Sequence, residues 1–591
     1  MVSFFSVGLV VFFGILYCVF TMLYEFSLNE IVWLRRAAKV IAIFCGVCSA
    51  WLILESLADA KNIALQYHIY GFRFLHLLTY KFREGAFSTI PFMLMALFSG
   101  ICGTILRFKK GTQNLPTGGH FGTANWADKR DLMNIRAYSR ETGPFIGTDE
   151  KGRSLYLPLC NKLTISPPGG GKTTASSIPV LLSHNGPVFA FDIKGELWAT
   201  TARYRSEVLG REIVVIDPYG VTQGKDFKLG KPEKLLKKYN LNPFDWVPEH
   251  KSDRDRMINA FASSFIVSDN SYSNHFDENA KILIRGYIDY LMSFPKEERT
   301  LNHLFTLMSE NLKASEATFE HMALSHGRSE AAANQIKRVS SEERGSILST
   351  SYRQIDWMSD SNIQSTLSES NFDLRDFLKG NMDIFVVLPE DQIKEHNRLV
   401  RMIMSLLMSL IVQADPSELP KYKILFLLDE LAQLGYCPDV EQCIEVLRAR
   451  GVVVWTVFQS LNQIDLFKKP DLFKGAPLKQ IFTIDDAKTM DWIQRIGGKK
   501  TVVTQTTSTN QLAPQKGGFL QSGTSSKGES THETGVDLVP INEILELPNN
   551  EQFIFLHGSK PIRCKKVRYF EHPDFRGKYD NNPLESKNAD N

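Results

Sequence analysis

A glycine-rich stretch between an apolar run and a helix-like segment constrains the fold of this chain more than any other feature. The run Leu163–Ile165 is followed by Ser-Pro-Pro-Gly-Gly-Gly-Lys-Thr-Thr over residues 166–174. In a phosphate-binding loop, successive backbone N–H groups turn inward towards phosphate oxygens, so the loop needs residues that tolerate unusual dihedral angles. The following helix presents its positive end to the phosphates. The stretch therefore predicts a strand, a P-loop and a helix.

The residue types of this loop point to a nucleotide with a metal ion. The P-loop pattern is a glycine, four residues and then Gly-Lys-Thr or Gly-Lys-Ser, and Ser166 stands where the first glycine belongs. Lys172 is expected to reach the β- and γ-phosphates, and the Thr173 hydroxyl to hold Mg²⁺. The alternative is an ordinary Gly-Pro turn. If the loop binds ATP and Mg²⁺, the binding residues are Ser166, Pro167, Pro168, Gly169, Gly170, Gly171, Lys172, Thr173 and Thr174.

A second stretch, Lys423–Glu430, has the pattern of a Walker B strand. Apolar residues run up to Asp429 and Glu430. Such a strand buries its side chains and delivers carboxylates beside the P-loop. Asp429 is predicted to hold Mg²⁺, directly or through water, and Glu430 to orient and deprotonate the attacking water. Asp-Glu after an apolar strand is common, so the prediction depends on the P-loop in the same domain.

Two further polar residues flank the next strand, Val452–Phe458. Gln459 directly follows it and is a candidate sensor of the γ-phosphate; the alternative is an exposed glutamine at the start of a helix. Arg448 and Arg450 precede it by about one turn. An arginine presented to a neighbouring subunit's nucleotide acts as an arginine finger. On pattern alone, each arginine is more often a solvated helix residue.

The remaining strand patterns predict an α/β fold. The runs Pro187–Asp192 and Glu212–Asp217 are long and apolar and alternate with helix patterns, as in a doubly wound parallel sheet. Ligands bind beyond the carboxyl ends of such strands. Asp192 and Asp217 lie at these ends and are candidates for the site, although each could equally cap a helix or turn.

Changes in pattern divide the chain into segments. Between 247 and 379 the strand signal disappears and apolar residues recur at helical spacing, which predicts an all-α inserted domain. The nucleotide-binding domain is then split into a first part, 111–246, and a second part, 380–570. Residues 571–591 are polar and charged and are predicted to be a disordered tail.

The first 110 residues are predicted to be a transmembrane region. A bilayer core needs about 20 apolar residues in a helix. Val2–Phe26 and Ala86–Leu106 qualify, and Val40–Leu54 is shorter, so two or three helices are expected, with residues 55–85 on the far side. The first stretch lacks the basic start and small-residue cleavage site of a signal peptide. The basic segment Arg107–Lys110 favours a cytoplasmic P-loop.

Composition excludes few functions. The sequence has 591 residues, so roughly three or four folding units are expected. Lys and Arg number 68 and Asp and Glu 65, so no overall basic excess indicates nucleic acid. The eight cysteines are scattered and suggest no disulfide framework, which fits a reducing compartment.

The order of motifs resembles one family, the coupling-protein ATPases of type IV secretion systems, or VirD/TraG-like proteins. The resemblance covers residues from about 85 to 570. Ser166, Asn125 and Ile193 depart from the residues usual in the family. After the apolar spans, the matching motifs in chain order are Gly122-Thr123-Ala124-Asn125-Trp126-Ala127, the P-loop, Asp192-Ile193-Lys194-Gly195-Glu196, Asn242-Pro243-Phe244, the helical insertion, Leu428-Asp429-Glu430, Phe458-Gln459-Ser460 and Pro540-Ile541-Asn542-Glu543.

The resemblance implies a multi-pass ATPase of the bacterial inner membrane with a RecA-like nucleotide-binding domain in the cytoplasm and an inserted all-α domain. Such proteins assemble as homohexamers and pass a substrate, either a relaxase–DNA complex or protein effectors, to the components of the secretion channel. By motif position, Lys172 and Thr173 match Walker A, and Gln459 matches the family's third motif. Arg448 matches the arginine that acts on a neighbouring subunit.

Two other functions remain open. One is an FtsK/HerA-like, membrane-anchored DNA-translocating ATPase; that class lacks the helical insertion and usually carries a C-terminal winged helix, which has no counterpart here. The other is a non-hydrolysing substrate receptor that uses the fold as a scaffold. Lys172, Thr173, Asp429 and Glu430 are intact and argue against the scaffold.

Overall fold

The computed structural model describes residues 121–266, 274–511 and 525–585, together with Tyr80. The chain divides into two compact units, Met1–Gly119 and His120–Asn591. The three predicted membrane stretches lie outside the described residues. Within the described ranges, no helix combines the length and apolar character that a membrane span requires.

The second unit is built around one large, mainly parallel sheet. Its strand order is β2-β1-β13-β12-β9-β3-β8-β7-β4-β6-β5, and β10 pairs with β11 in a separate hairpin. The strands are β1 Phe145–Thr148, β2 Ser154–Tyr156, β3 Lys162–Ile165, β4 Val188–Asp192, β5 Glu212–Ile216, β6 Met382–Val387, β7 Ile424–Leu428, β8 Val452–Phe458, β9 Leu478–Ile481, β10 Lys499–Gln511, β11 Ser525–Asp537, β12 Glu551–Leu556 and β13 Ile562–Lys565.

The strands from β9 to β5 in this order run parallel, and β12, β13, β1 and β2 extend the sheet with antiparallel pairs. Both faces are covered. In β4, Phe189 and Phe191 belong to the core on one face, and Val188 and Ala190 to the core on the other. Burial on both faces explains why these strands are continuous apolar runs. The predicted α/β class with a parallel sheet is confirmed.

Helices cover the sheet and fill the segment between β5 and β6. The α-helices are α1 Lys129–Asn134, α2 Ile178–Ser183, α3 Glu196–Glu207, α4 Lys225–Lys228, α5 Lys251–Phe265, α6 Asn274–Leu291, α7 Leu301–Met308, α8 Leu312–Leu324, α9 Arg328–Arg338, α10 Ser341–Ile355, α11 Ser361–Thr366, α12 Arg375–Leu378, α13 Ile393–Gln413, α14 Pro438–Val446, α15 Leu461–Ile464, α16 Pro470–Lys474, α17 Ala487–Gly497 and α18 Ile541–Leu545.

The described part of the segment between Trp246 and β6 consists of helices and the loops that connect them, with no strand. Helix α6 is at its centre and buries Leu283, Ile284, Tyr287 and Ile288, the spacing of one helix face. A Cβ added at Gly286 would collide with the Cβ of Ala332, so this glycine lets α9 approach α6 closely. Ala332 of α9 therefore packs directly against the α6 backbone at Gly286.

The C-terminal segment differs from the sequence-based expectation. Residues 571–591 were predicted to be disordered, but 571–585 pack against the sheet domain, and 586–591 lie outside the described residues. Phe575 is buried, with its ring centroid 5.2 Å from that of Phe145. Asp580 pairs with Arg203 at 2.6 Å. The prediction failed because this docking depends on a few widely spaced aromatic and acidic residues and has no hydrophobic periodicity.

The Ser/Thr-rich stretch 501–534 contains most of a long hairpin. Strands β10 and β11 pair antiparallel from Lys499 with Asp537 to Gln511 with Ser525. Residues 512–524, between the two strands, lie outside the described residues. The hairpin begins directly after α17, and Leu538 N donates to the Gly498 carbonyl oxygen at its base.

Candidate functional site

The predicted P-loop lies at the carboxyl edge of the parallel sheet. It follows β3, which lies between β9 and β8, and β7 is the next strand beyond β8. The Ser166 N–H donates to the Phe458 carbonyl oxygen at 3.0 Å. The loops after β3, β8 and β7 therefore meet at one edge, where ligands bind in folds of this class.

The loop needs its glycines. Gly169 and Gly171 have φ values of 73° and 81°, a region that other residues rarely adopt. A Cβ added at Gly170 would collide with the Ser166 hydroxyl. Ser166 itself is buried and its hydroxyl lies against the loop. The chain then forms a π-helical turn over Thr173–Ser177, which continues into α2.

Lys172 and Glu430 form a partly buried ion pair inside this site. The second oxygen of Glu430, Oε2, accepts a hydrogen bond from Gln433 Nε2 at 2.6 Å. Glu430 has φ 54° and ψ 46°, a left-handed conformation that costs roughly 1–2 kcal/mol outside glycine. The strained backbone and the two side-chain partners fix the carboxylate above the loop.

Asp429 and Thr173 form the candidate metal site. The Thr173 hydroxyl donates to Asp429 Oδ2 at 3.2 Å. The other oxygen, Oδ1, is buried and has no hydrogen-bond partner among the described residues. Burial raises the pKa of Asp429 to about 6, against the lowering effect of the Lys172 charge. An unsatisfied carboxylate oxygen beside a hydroxyl fits Mg²⁺, which takes one or two protein ligands and completes its shell with phosphate and water.

Asp192, at the end of β4, faces the same cavity, and Asp217 does not. Asp192 Oδ2 accepts from the Trp198 N–H at 2.9 Å, and burial raises the Asp192 pKa to about 8. Asp217 accepts from the N–H groups of Val221 and Thr222. Both carboxylates therefore cap the segment that follows their strand, and Asp192 alone also lines the site.

The P-loop and the carboxylates of Asp192, Asp429 and Glu430 line a cavity of about 470 Å³, within the usual size range of ligand sites. It combines the P-loop, the two Walker B carboxylates, the start of α3 and part of the C-terminal segment. The lining residues are Pro168, Gly169, Gly171, Lys172, Thr173, Thr174, Asp192, Ile193, Lys194, Glu196, Asp429, Glu430, Arg568, Leu584 and Glu585.

The structure does not bring every predicted residue into this cavity. Gln459 follows β8 at the correct edge, but it is not among the lining residues, and its N–H donates to Gln463 Oε1 at 2.7 Å. Arg448 is exposed and precedes β8, whose first residue, Val452, pairs with the first residue of β7. Arg448 therefore lies at the opposite edge of the sheet from its own P-loop.

Three site residues belong to none of the sequence motifs. Gln433 holds Glu430, Lys566 Nζ donates to the Gly170 carbonyl oxygen at 2.8 Å, and Arg568 lines the cavity. Gln433 lies one helical turn after Glu430, and that spacing could have identified it. Lys566 and Arg568 belong to a basic run directly after β13, but no motif connects that run to the P-loop.

Comparison with known proteins identifies the family. Residues 125–589 match the family described as type IV secretory system conjugative DNA transfer. The conjugal transfer protein TraG of Agrobacterium fabrum is 26% identical over 432 residues, which cover 69% of this chain and 60% of that protein. The coupling protein VirD4 of Bartonella quintana is 24% identical over 417 residues, covering 68% and 61%. The chain thus spans about 60% of the length of these relatives.

Solved structures share the fold. The conjugative coupling protein TrwBdeltaN70 aligns with a TM-score of 0.55 at 14% identity, covering 78% of this chain and 99% of that chain. TrwB in complex with the ATP analogue ADPNP aligns with a TM-score of 0.56 at 13% identity, covering 76% and 96%. These alignments agree with the resemblance inferred from the motifs. The chain belongs to the type IV secretory system conjugative DNA transfer family.

Proposed function

We propose that this protein is a coupling-protein ATPase that binds ATP with Mg²⁺, hydrolyses it and drives substrates towards a type IV secretion channel. One observation carries the proposal. Lys172, Thr173, Asp429 and Glu430 converge in a single cavity at the carboxyl edge of the sheet, in a chain of this family. The scaffold alternative would require none of these four groups.

Lys172 and Glu430 exchange partners during this reaction. In the structure, the two side chains form an ion pair. The triphosphate brings negative charge to the loop and competes for the Lys172 ammonium group, which frees the Glu430 carboxylate. Mg²⁺ held by Thr173 and Asp429 would supply positive charge to the phosphates. Glu430 then accepts a proton from the attacking water, while its hydrogen bond from Gln433 keeps the carboxylate oriented.

The nucleotide and metal are proposed from the cavity and from related proteins. TrwB has been solved with ADPNP and with ADP and Mg²⁺. It has also been solved with the GTP analogue GDPNP. The pair Thr173 and Asp429 fits the metal of such a complex in this chain.

The proposed substrate and cellular setting are inferred from the family resemblance. We propose a relaxase–DNA complex or protein effectors as cargo, with the helical insertion as the contact region. The protein is proposed to act as a homohexamer at the bacterial inner membrane, anchored by residues 1–110, with its RecA-like domain in the cytoplasm. Arg448, exposed at the far edge of the sheet, is proposed to complete a neighbour's site, and Gln459 to sense the γ-phosphate.

ATP hydrolysis by the full chain in detergent tests this function. Glu430→Gln removes the proton acceptor and should lower the rate by about 10²–10⁴-fold while nucleotide still raises the melting temperature. Lys172→Ala should lose both hydrolysis and this stabilisation. Lys313→Ala, at an exposed lysine of the helical insertion, is the matched control. Wild-type hydrolysis by Lys172→Ala would refute the site.

A further inference from the structure

The last part of the chain is fixed to the sheet domain along its length. We call residues 566–585 the C-terminal strap. Asp574 accepts from the Tyr156 hydroxyl at 2.7 Å and pairs with Arg140 at 2.7 Å. Further along, Asp580 pairs with Arg203 and with Lys231, whose side chain is almost fully buried. The strap therefore has a defined path over the domain surface.

This path touches the nucleotide cavity at both ends of the strap. At its beginning, Lys566 Nζ donates to the Gly170 carbonyl oxygen in the P-loop. At its end, Asn582 Nδ2 donates to Glu196 Oε2 at 2.9 Å, on the cavity wall formed by α3. The Tyr569 hydroxyl donates to Glu585 Oε2 at 3.3 Å and joins the two ends. The strap thus forms a closed loop beside the cavity.

Arg568 is the strap cation that lines the cavity, where a ligand can reach it. Lys172 is held by Glu430, and Lys566 is held by the P-loop carbonyl. Arg568 is exposed and lines the cavity; its guanidinium lies 5.8 Å from the Phe570 ring and forms no ion pair within the described part of the chain. A guanidinium presents several donors in a plane and suits phosphate oxygens.

We propose that the C-terminal strap forms part of the nucleotide-binding site, with Arg568 contacting the bound nucleoside triphosphate. The inference rests on the proposed function, because it assigns the nucleotide to this cavity. Bound nucleotide then holds the strap in its docked position, and the docked strap slows nucleotide release. Nucleotide occupancy of the site is thereby coupled to the docking of the C-terminal strap.

Nucleotide binding by the full chain in detergent tests the contact. The probe is a fluorescent ATP analogue with Mg²⁺, and the readouts are its Kd and the rise in melting temperature. Arg568→Gln should raise the Kd about tenfold, the order expected for a lost charge-assisted hydrogen bond. Arg568→Lys should recover part of the affinity. Arg576→Gln, at an exposed arginine of the same strap, should bind as wild type. Without nucleotide, all four proteins should melt alike.

Limited trypsin digestion tests the coupling. Cleavage after Arg576 releases the end of the strap and is followed by intact mass. ATP should slow this cleavage at least severalfold in the wild type and less in Arg568→Gln. If Arg568→Gln binds and digests as wild type while Lys172→Ala loses binding, the strap inference is wrong and the nucleotide site stands. If the wild type binds no nucleotide, both are wrong.

Discussion

Two buried carboxylates at the nucleotide cavity hold their protons to unusually high pH. Burial raises the pKa of Asp192 to about 8 and that of Asp429 to about 6. Each carboxyl keeps its proton in the folded state at pH values where the unfolded chain, with a pKa near 4, has lost it. The contribution of each group to the free energy of unfolding therefore falls as the pH rises from about 4 to its folded-state pKa. A cation bound beside either carboxyl would favour its ionised form, and Asp429 has the Thr173 hydroxyl beside it as a second ligand.

The Asp429 pKa predicts pH-dependent metal binding. Mg²⁺ requires the ionised carboxylate, so the additional melting-temperature rise that Mg²⁺ gives with ATP should grow as pH increases through about 6. Thermal unfolding with ATP, with and without Mg²⁺, at pH 5 and pH 7.5 measures this additional rise in melting temperature. In Asp429→Asn, the additional rise should be small at both pH values. An increment in the wild type that is equal at both would contradict this role.

Sequence motifs predicted the site residues that directly follow a strand in the sequence. Lys172, Thr173, Asp429 and Glu430 were assigned from local patterns, and the structure brings them together. Lys566 reaches the same loop across 396 positions of sequence, and only the folded sheet places it there. Local spacing carries no information about such a contact.

At the scale of elements, one buried ion pair connects four parts of the sheet domain. Arg205 in α3 pairs with Asp383 in β6 at 2.7 Å, and both side chains are fully buried. The Arg205 guanidinium also donates to the carbonyl oxygens of Leu181, His184 and Gly186. Asp383 Oδ1 accepts from the N–H at the start of β4. The pair joins the end of the P-loop helix to the strand that follows the helical insertion.

Removing one partner of this pair should be costly. Asp383→Ala leaves a buried guanidinium charge and is expected to destabilise the fold by about 3–5 kcal/mol. The change is measured by thermal unfolding of the full chain. Asp376→Ala, which breaks the exposed pair with Lys379, should cost about 1 kcal/mol or less. Equal losses from the two variants would show that Asp383 is not a connecting residue.

Elements with a clear apolar pattern could be predicted, and those held by contacts between distant residues could not. The parallel strands and the helical insertion follow from runs and spacings. The C-terminal strap has few apolar residues, and it is ordered by Asp574, Asp580 and the buried ring of Phe575, each with a partner far away in sequence. Composition therefore suggested disorder where the structure has a docked segment.

At the scale of the whole molecule, the position of Arg448 predicts a shared active site. Arg448→Ala and Lys172→Ala should each be inactive, because one lacks the finger and the other the P-loop lysine. In rings that contain both variants, an Arg448→Ala subunit can receive the finger of a Lys172→Ala subunit. In an equimolar random mixture about one interface in four is complete, so hydrolysis should recover to about a quarter of the wild-type rate.

The control for this experiment is a mixture of Lys172→Ala with Glu430→Gln. Both substitutions damage the same pocket of their own chain, so no interface is complete and no recovery is expected. Hydrolysis by reassembled full-length protein is measured in each case. If the first mixture recovers no more activity than the control, although both assemble, Arg448 is not a finger.

The strand order also determines when this protein can become active during its synthesis. Strand β3 lies between β8 and β9, and Thr456 donates to the Lys162 carbonyl oxygen across 294 positions. A ribosome that adds about 5–20 residues per second needs roughly 15–60 s to bridge that interval. Throughout it, the P-loop strand lacks both neighbours; Asp429 and Glu430 are made near its end, and the C-terminal strap comes later still. The nucleotide cavity therefore cannot be complete until the C-terminal strap, which supplies part of its lining, has been synthesised.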